Sequence, residues 1–195
     1  MGFVKWVAVL SVGLLSVSTL SAQEKGWINM FDGKTLNGWK ANENPDSWQV
    51  QDGTIVGDGE RSHLFWMERE CRNCEFQADV KISDGGNSGM LFRAAWGPGF
   101  PKGYEAQINS THKDPVRTGS LYDFVKIYDQ LVPPDTWFHQ RILAQGNHIV
   151  IEVNGKNVVD FIYEKNTFTR GYLVLQQHNQ GSVVTFKNLR MKSLL

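Results

Sequence analysis

The sequence predicts an all-β fold, a sandwich of two sheets with Greek-key connections. Many short segments alternate apolar and polar residues with the two-residue period of a strand. Turn pairs such as Asp52-Gly53, Gly146-Asn147 and Asn154-Gly155 punctuate that alternation. No stretch after the N-terminal segment keeps an amphipathic helical period over three turns. With 195 residues the chain is long enough for one domain with a real core.

The elements follow in order. Trp27 to Phe31 and Leu36 to Trp39 are short apolar pieces separated by the turn Asp32-Gly33. Trp48 to Gln51, Asp52-Gly53 and Thr54 to Val56 read as a hairpin by their turn chemistry. Glu75 to Ser83 is the clearest strand, with Phe76, Ala78, Val80 and Ile82 on one face and Gln77, Asp79 and Lys81 on the other. After Asp84-Gly85-Gly86 come a strand at Gly89 to Ala94, a Gly/Pro-rich loop at Trp96 to Lys102 and a strand at Tyr104 to Ile108. Residues 109–135 form a long ordered loop in this reading. Strands resume at Trp137 to Ala144, His148 to Asn154, Val158 to Tyr163, Gly171 to His178 and Val183 to Lys192.

The ends and totals narrow the class. Residues 1–22 read as a secretory signal peptide: Lys5 supplies a positive charge before an apolar, serine-broken run from Trp6 to Leu20. That run falls short of the ~20 apolar residues a membrane span needs. An uncleaved N-terminal anchor is the alternative. Lys+Arg and Asp+Glu are equal at 20 each, which argues against nucleic acid as the main partner. The two cysteines, Cys71 and Cys74, lack the second pair or the spaced histidines of a zinc site. In an exported chain they read as a short disulfide staple.

Polar side chains stand on several strands where apolar ones are expected. Glu105 and Gln107 share one face, opposite Tyr104, Ala106 and Ile108, and Gln176 shares a face with His178. With Arg93 they place a cation, a carboxylate, amides and an imidazole on rigid strands, the content of a binding or catalytic cleft. The plainer alternatives are a structural Glu105–Arg93 ion pair, satisfied cross-strand amides at Gln107 and Gln176, and a strand-end role for His178. Trp27, Trp39 and Trp48 read as packing, Asp32 and Asp52 as turn residues, and His63, His112 and His148 as surface residues.

Seven motifs in order carry a family resemblance. They are Phe31-Asp32-Gly33-Lys34-Thr35-Leu36-Asn37-Gly38-Trp39, Trp48-x-Val50-x-Asp52-Gly53, Asn87-Ser88-Gly89 with Arg93, Gly103-Tyr104-Glu105-x-Gln107-Ile108, Gly119-x-Leu121-Tyr122, Val153-Asn154-Gly155, and Leu175-Gln176-x-His178 with Phe186-Lys187-Asn188-Leu189. Over residues 27–193 the chain resembles the 3-keto-disaccharide hydrolase family (domain of unknown function 1080). Members are also described as 3-keto-glucoside 1,2-lyase/3-keto-2-hydroxy-glucal hydratases. One departure is Trp137-Phe138-His139, where the family pattern has Trp-Asn.

The resemblance implies a concanavalin-like jelly-roll β-sandwich, export to the periplasm or envelope of a bacterium, and an enzyme acting on a small carbohydrate, a 3-keto-glycoside. A ketone at C3 acidifies the C2 proton. A base removes it, the C1 substituent leaves by elimination, and water adds back to give net hydrolysis. In this reading Glu105 and His178 are the base and acid, in either order, and Arg93 holds the enolate. Gln107 and Gln176 bind sugar hydroxyls, Tyr122 donates a hydrogen bond or acts as an acid, and Trp96 stacks on a ring. No cofactor, metal, nucleic-acid partner or stable membrane insertion after processing is expected, although the loop Asp84 to Asn87 leaves calcium open. The competing class is a non-catalytic carbohydrate-binding module of the same fold, which needs aromatics and amides but no base.

Overall fold

The computed structural model describes Met1 and residues 25–195. The proposed signal peptide, residues 1–22, and its cleavage region therefore lie outside the described residues, Met1 apart. Among the described residues no helix is long and apolar enough to cross a membrane.

Two antiparallel sheets face each other, so the expected jelly-roll sandwich is what the chain forms. The larger runs β11 (Lys156–Ile162), β10 (His148–Val153), β9 (Phe138–Gln145), β6 (Cys74–Ile82), β13 (Val183–Ser193), β4 (Thr54–Asp58) and β3 (Trp48–Gln51), with β1 (Trp27–Asn29) also pairing β13. The smaller runs β2 (Trp39–Ala41), β5 (Ser62–Cys71), β12 (Gly171–Gln177), β7 (Ser88–Ala94) and β8 (Tyr104–Ile108). The late strands β12 and β13 insert between early ones, so both sheets close only when distant parts of the chain meet.

The alternation explains the core. Phe76, Ala78, Val80 and Ile82 of β6 are all buried, and Phe138, Ile142 and Ala144 pack beside them from β9. Tyr104, Ala106 and Ile108 of β8 and Met90 and Phe92 of β7 close the core from the smaller sheet. Burial of each such large side chain contributes ~1.5–3 kcal/mol. Trp39 and Trp48 are core residues, as expected. Hairpin turns form at Asp52-Gly53 and Asn154-Gly155, where all four residues take the left-handed φ that such turns require. Asp32 is a turn residue, accepting from the backbone amides of Lys34 and Thr35. Phe138, at the family's asparagine position, is buried in the core, while His139 turns outward to Asp79 at 2.8 Å.

The strand β5 was not foreseen. Its face alternates His63, Phe65 and Met67 outward against Leu64 and Trp66 inward, and it carries part of the cleft described below. Cys71 ends β5 and Cys74 begins β6, so their disulfide staples the crossing from the smaller sheet to the larger. The expected short staple is present.

Candidate active site

The outer face of the five-stranded sheet carries the cleft. Register places Gln107 opposite Gly89 and Glu105 opposite Leu91, while His63 of β5 lies opposite Gln176 of β12. These residues share the face away from the core, which brings Glu105, Gln107 and Gln176 together with His178 just past β12. Two loops cover them. Residues 95–102 are tied down by Asn42, whose amide donates to the carbonyls of Gly97 (2.8 Å) and Gly99 (2.9 Å). This sets Phe100 between the rings of His63 (centroids 5.4 Å apart) and His178 (5.8 Å). The second loop brings Tyr122, whose hydroxyl donates to Asp114 Oδ2 at 2.9 Å, and His112, whose ring meets that of His178 at 5.8 Å.

Two connected hollows result. A pocket of about 180 Å³ is walled by Asn87, Gln107, Gln176 and His178, and a groove of about 400 Å³ runs past Leu91, Pro101, Phe124 and Phe168. Glu105, Tyr122 and Phe100 line both, so the Glu105 carboxyl stands at their junction.

The electrostatics of the carboxyl are unusual. Burial, then the negative charges of Asp123 and Asp114, push Glu105 up to about 8, against a hydrogen bond from Gln176 that favours ionisation. The Gln107 amide, turned so that its nitrogen faces acceptors, donates to Ser88 O at 3.0 Å and to Glu105 Oε1 at 3.3 Å. Tyr122 is pushed up to about 12, chiefly by its bond to Asp114, and stays a neutral donor.

The imidazoles are held in defined tautomers. Asn179 Nδ2 donates to Gln180 O, which fixes its Oδ1 as the acceptor for His178 Nδ1–H at 2.7 Å. Nε2 of neutral His178 then carries the lone pair. His112 Nδ1 accepts from the Asp114 amide at 3.1 Å, and burial followed by the neighbouring His178 lowers its affinity for a proton. His63 is fully buried, and desolvation drives it down to about 4, so it is neutral. Its Nδ1 and the Oε1 of Gln176 are buried without a hydrogen-bond partner. Such orphaned atoms are costly in a packed interior and are expected where a ligand completes them.

Several expectations are corrected. Arg93 is not in the cleft. It occupies a bulge: Tyr172 pairs with Ala94 and Val174 with Leu91, leaving one extra residue on β7, and Arg93 takes φ 52° there. The bulge breaks the strand parity, and the buried guanidinium donates to Arg72 O (2.9 and 2.6 Å), Asn166 Oδ1 (3.2 Å) and Phe168 O (3.1 Å). It anchors the disulfide loop, and no Glu105–Arg93 ion pair forms among the described residues. Trp96 lines neither hollow; its ring meets Phe65 edge-on at 4.9 Å, with Lys40 Nζ 4.7 Å from its centroid. His63 is not a surface residue but is fully buried on an unforeseen strand, and half-exposed His112, aligned by a local turn, packs its ring against His178. Only His148 faces out, paired with Asp160. At the loop considered for calcium, Asp84 accepts from the Thr111 hydroxyl at 2.6 Å, and among the described residues no three His, Cys, Asp or Glu side chains gather as a metal cluster.

The sandwich and its cleft, with a neutral acid and an imidazole above amide donors, define a jelly-roll protein of the carbohydrate-processing class. The chain belongs to the 3-keto-alpha-glucoside-1,2-lyase-like domain family, whose model matches residues 26–192. It is similar to a 3-keto-disaccharide hydrolase of Bacteroides thetaiotaomicron, 24% identical, with 90% of this chain and 81% of the relative covered. A proposed glycosyl hydrolase of Parabacteroides distasonis superposes with a TM-score of 0.76 at 26% identity, covering 87% of this chain and 94% of its own. A carbohydrate-binding module of Bacillus subtilis shares the fold at TM-score 0.63 and 17% identity, covering 80% of this chain and 96% of its own.

Proposed function

We propose that this chain is an exported enzyme that cleaves 3-keto-glycosides by elimination and hydration, with Glu105 as the acid and His178 as the base. The observation that carries the reading is the position and state of Glu105. It stands where the pocket meets the groove, and at neutral pH it holds a proton. A group that protonates a departing oxygen belongs at the boundary between sugar and leaving group. His178 lines the pocket alone, beside the sugar ring.

His178 Nε2 takes the C2 proton, and the C2–H electron pair forms the enolate at C3. With Arg93 withdrawn, the donors left for that oxygen are the neutral side-chain amides lining the pocket, Asn87 foremost, since both N–H groups of Gln107 are directed at Ser88 O and Glu105 Oε1. The enolate collapses, C3=O and a C1=C2 double bond form, and the C1–O bond breaks as Glu105 protonates the leaving oxygen. Water then attacks C1 while the Glu105 carboxylate takes its proton and the His178 imidazolium returns one to C2. Both groups end as they began.

Export is supported by the N-terminal composition and by the Cys71–Cys74 disulfide, which persists in an oxidising compartment. Incubation of the purified protein with 3-keto-glucosides and their unoxidised parents, with product detection, tests the activity. Determination of the mature N-terminus tests the processing. A binding module of the same fold has no use for a protonated carboxyl paired with a tautomer-fixed imidazole, and would turn over neither sugar.

A further inference from the structure

The groove on the far side of Glu105 differs in character from the pocket. Its walls are Leu91, Phe100, Pro101, Phe124 and Phe168, with the exposed Lys102 and Asp123 at its solvent edge. Leu91 belongs to the small apolar cluster on the outer sheet face with Phe65 and Val174. Phe124 and Phe168 are partly buried, and each stands edge-on to Tyr104, at 5.5 and 5.1 Å between centroids, so their rings are fixed. The pocket is walled by amides and an imidazole instead.

We infer that the groove is a leaving-group subsite that takes an aromatic or comparably flat apolar aglycone in preference to a second sugar. The inference rests on the reading of Glu105 as the acid at the scissile bond. If that bond lies at the junction, one side must hold the oxidised ring and the other the departing group. The hydroxylated ring needs partners for its oxygens, and the pocket offers the amides of Asn87, Gln107 and Gln176 and the imidazole of His178. In the groove a second sugar would set most of its hydroxyls against Leu91, Pro101 and three phenyl rings, with Lys102 and Asp123 within reach only at the solvent edge, so part of its hydrogen bonding to water would go unreplaced, which is unfavourable. An aromatic ring would gain edge-to-face and dispersion contacts in the same space.

The test compares 3-keto forms of methyl glucoside, benzyl glucoside and a glucosyl-glucose disaccharide, in both anomers. A sugar hydroxyl is somewhat more acidic than benzyl alcohol, so leaving-group chemistry favours the disaccharide and a preference for the benzyl compound reads binding. The expected result is a kcat/KM at least ~10-fold higher for the benzyl compound than for the disaccharide. Phe168→Ser and Leu91→Ala should each reduce that preference, read within each variant as the ratio of kcat/KM for the benzyl compound to that for the methyl compound. Equal or faster cleavage of the disaccharide, or a preference that survives both substitutions, would overturn the inference while leaving the proposed activity intact. The groove is also tested apart from turnover. Titrated into Glu105→Gln, the benzyl compound should bind ~10-fold more tightly than the methyl one, and Phe168→Ser should abolish the difference. Equal binding overturns the inference. Failure of every 3-keto-glycoside to react with folded wild-type protein would instead defeat the catalytic reading.

Discussion

Glu105 occupies the space that a side chain at residue 89 would fill. A Cβ built on Gly89 would come within 2.8 Å of both Cγ and Cδ of Glu105. Gly89 lies on β7 opposite Gln107, two residues from Leu91, the register partner of Glu105. The glycine thus lets the carboxyl lie down across the sheet between pocket and groove. Gly89→Ala should fold, because the obstacle is the end of a flexible side chain, but should displace the acid. Loss of about a hundred-fold or more in kcat, with circular dichroism unchanged, is expected.

The pH dependence of stability tests the two perturbed groups against each other. Glu105 is raised, so its stabilising contribution is full below the ordinary carboxyl value and is lost as pH climbs through about 8. His63 is depressed, so its contribution is present above the ordinary imidazole value and is lost as pH falls through about 4. Between roughly pH 4.5 and 6.5 the two slopes oppose one another and cancel. From these groups, stability should decline only from about pH 6.5 to 8. Glu105→Gln should abolish that decline and raise Tm at pH 8 above wild type, while His63→Gln should extend the decline down to about pH 4.5. A wild-type decline that Glu105→Gln leaves unaltered would show that the carboxyl is not held protonated. The same proton should govern activity, with turnover falling as pH rises through about 8.

Arg93 separates packing from chemistry. Its substitution by Leu strands the carbonyls of Arg72 and Phe168 and should cost about 3 kcal/mol or more in chemical denaturation. At a temperature where the variant is folded, kcat on a 3-keto-glucoside should remain within a few-fold of wild type. A hundred-fold loss in the folded variant would return the guanidinium to the reaction.

The disulfide likewise belongs to stability. It closes a short loop between the sheets, outside the cleft. Cys71→Ser with Cys74→Ser should lower stability by about 2 kcal/mol and spare kcat. Abolished turnover in a folded double variant would contradict this.

Much of this arrangement was legible in the sequence, because parity along a regular strand is a physical rule. Phe76 to Ile82 and Tyr104 to Ile108 alternate as read, so the faces of Glu105 and Gln107 followed directly. The rule failed at Arg93, where one extra residue in β7 and a left-handed φ turn the side chain off its face. A bulge at a non-glycine residue leaves little local mark in the sequence. His63 was missed for another reason. Leu64-Phe65-Trp66-Met67 is a continuous apolar run, buried on both faces apart from the half-buried Met67, so no two-residue alternation marks the strand or tells which face carries His63. His112 and Phe100 reach the site through loops whose course is set by contacts such as Asn42 to Gly97 and Gly99, which no local pattern encodes.

The central claim is that the C3 ketone makes the C2 proton removable, and that Glu105 and His178 act on that chemistry. The most direct measurement is turnover of a 3-keto-glucoside and its unoxidised parent by wild type, Glu105→Gln and His178→Ala. The account predicts that only the oxidised sugar is cleaved and that each substitution lowers kcat by about a hundred- to ten-thousand-fold while binding changes much less. Rapid cleavage of the unoxidised glucoside, or undiminished turnover in both variants, would contradict it.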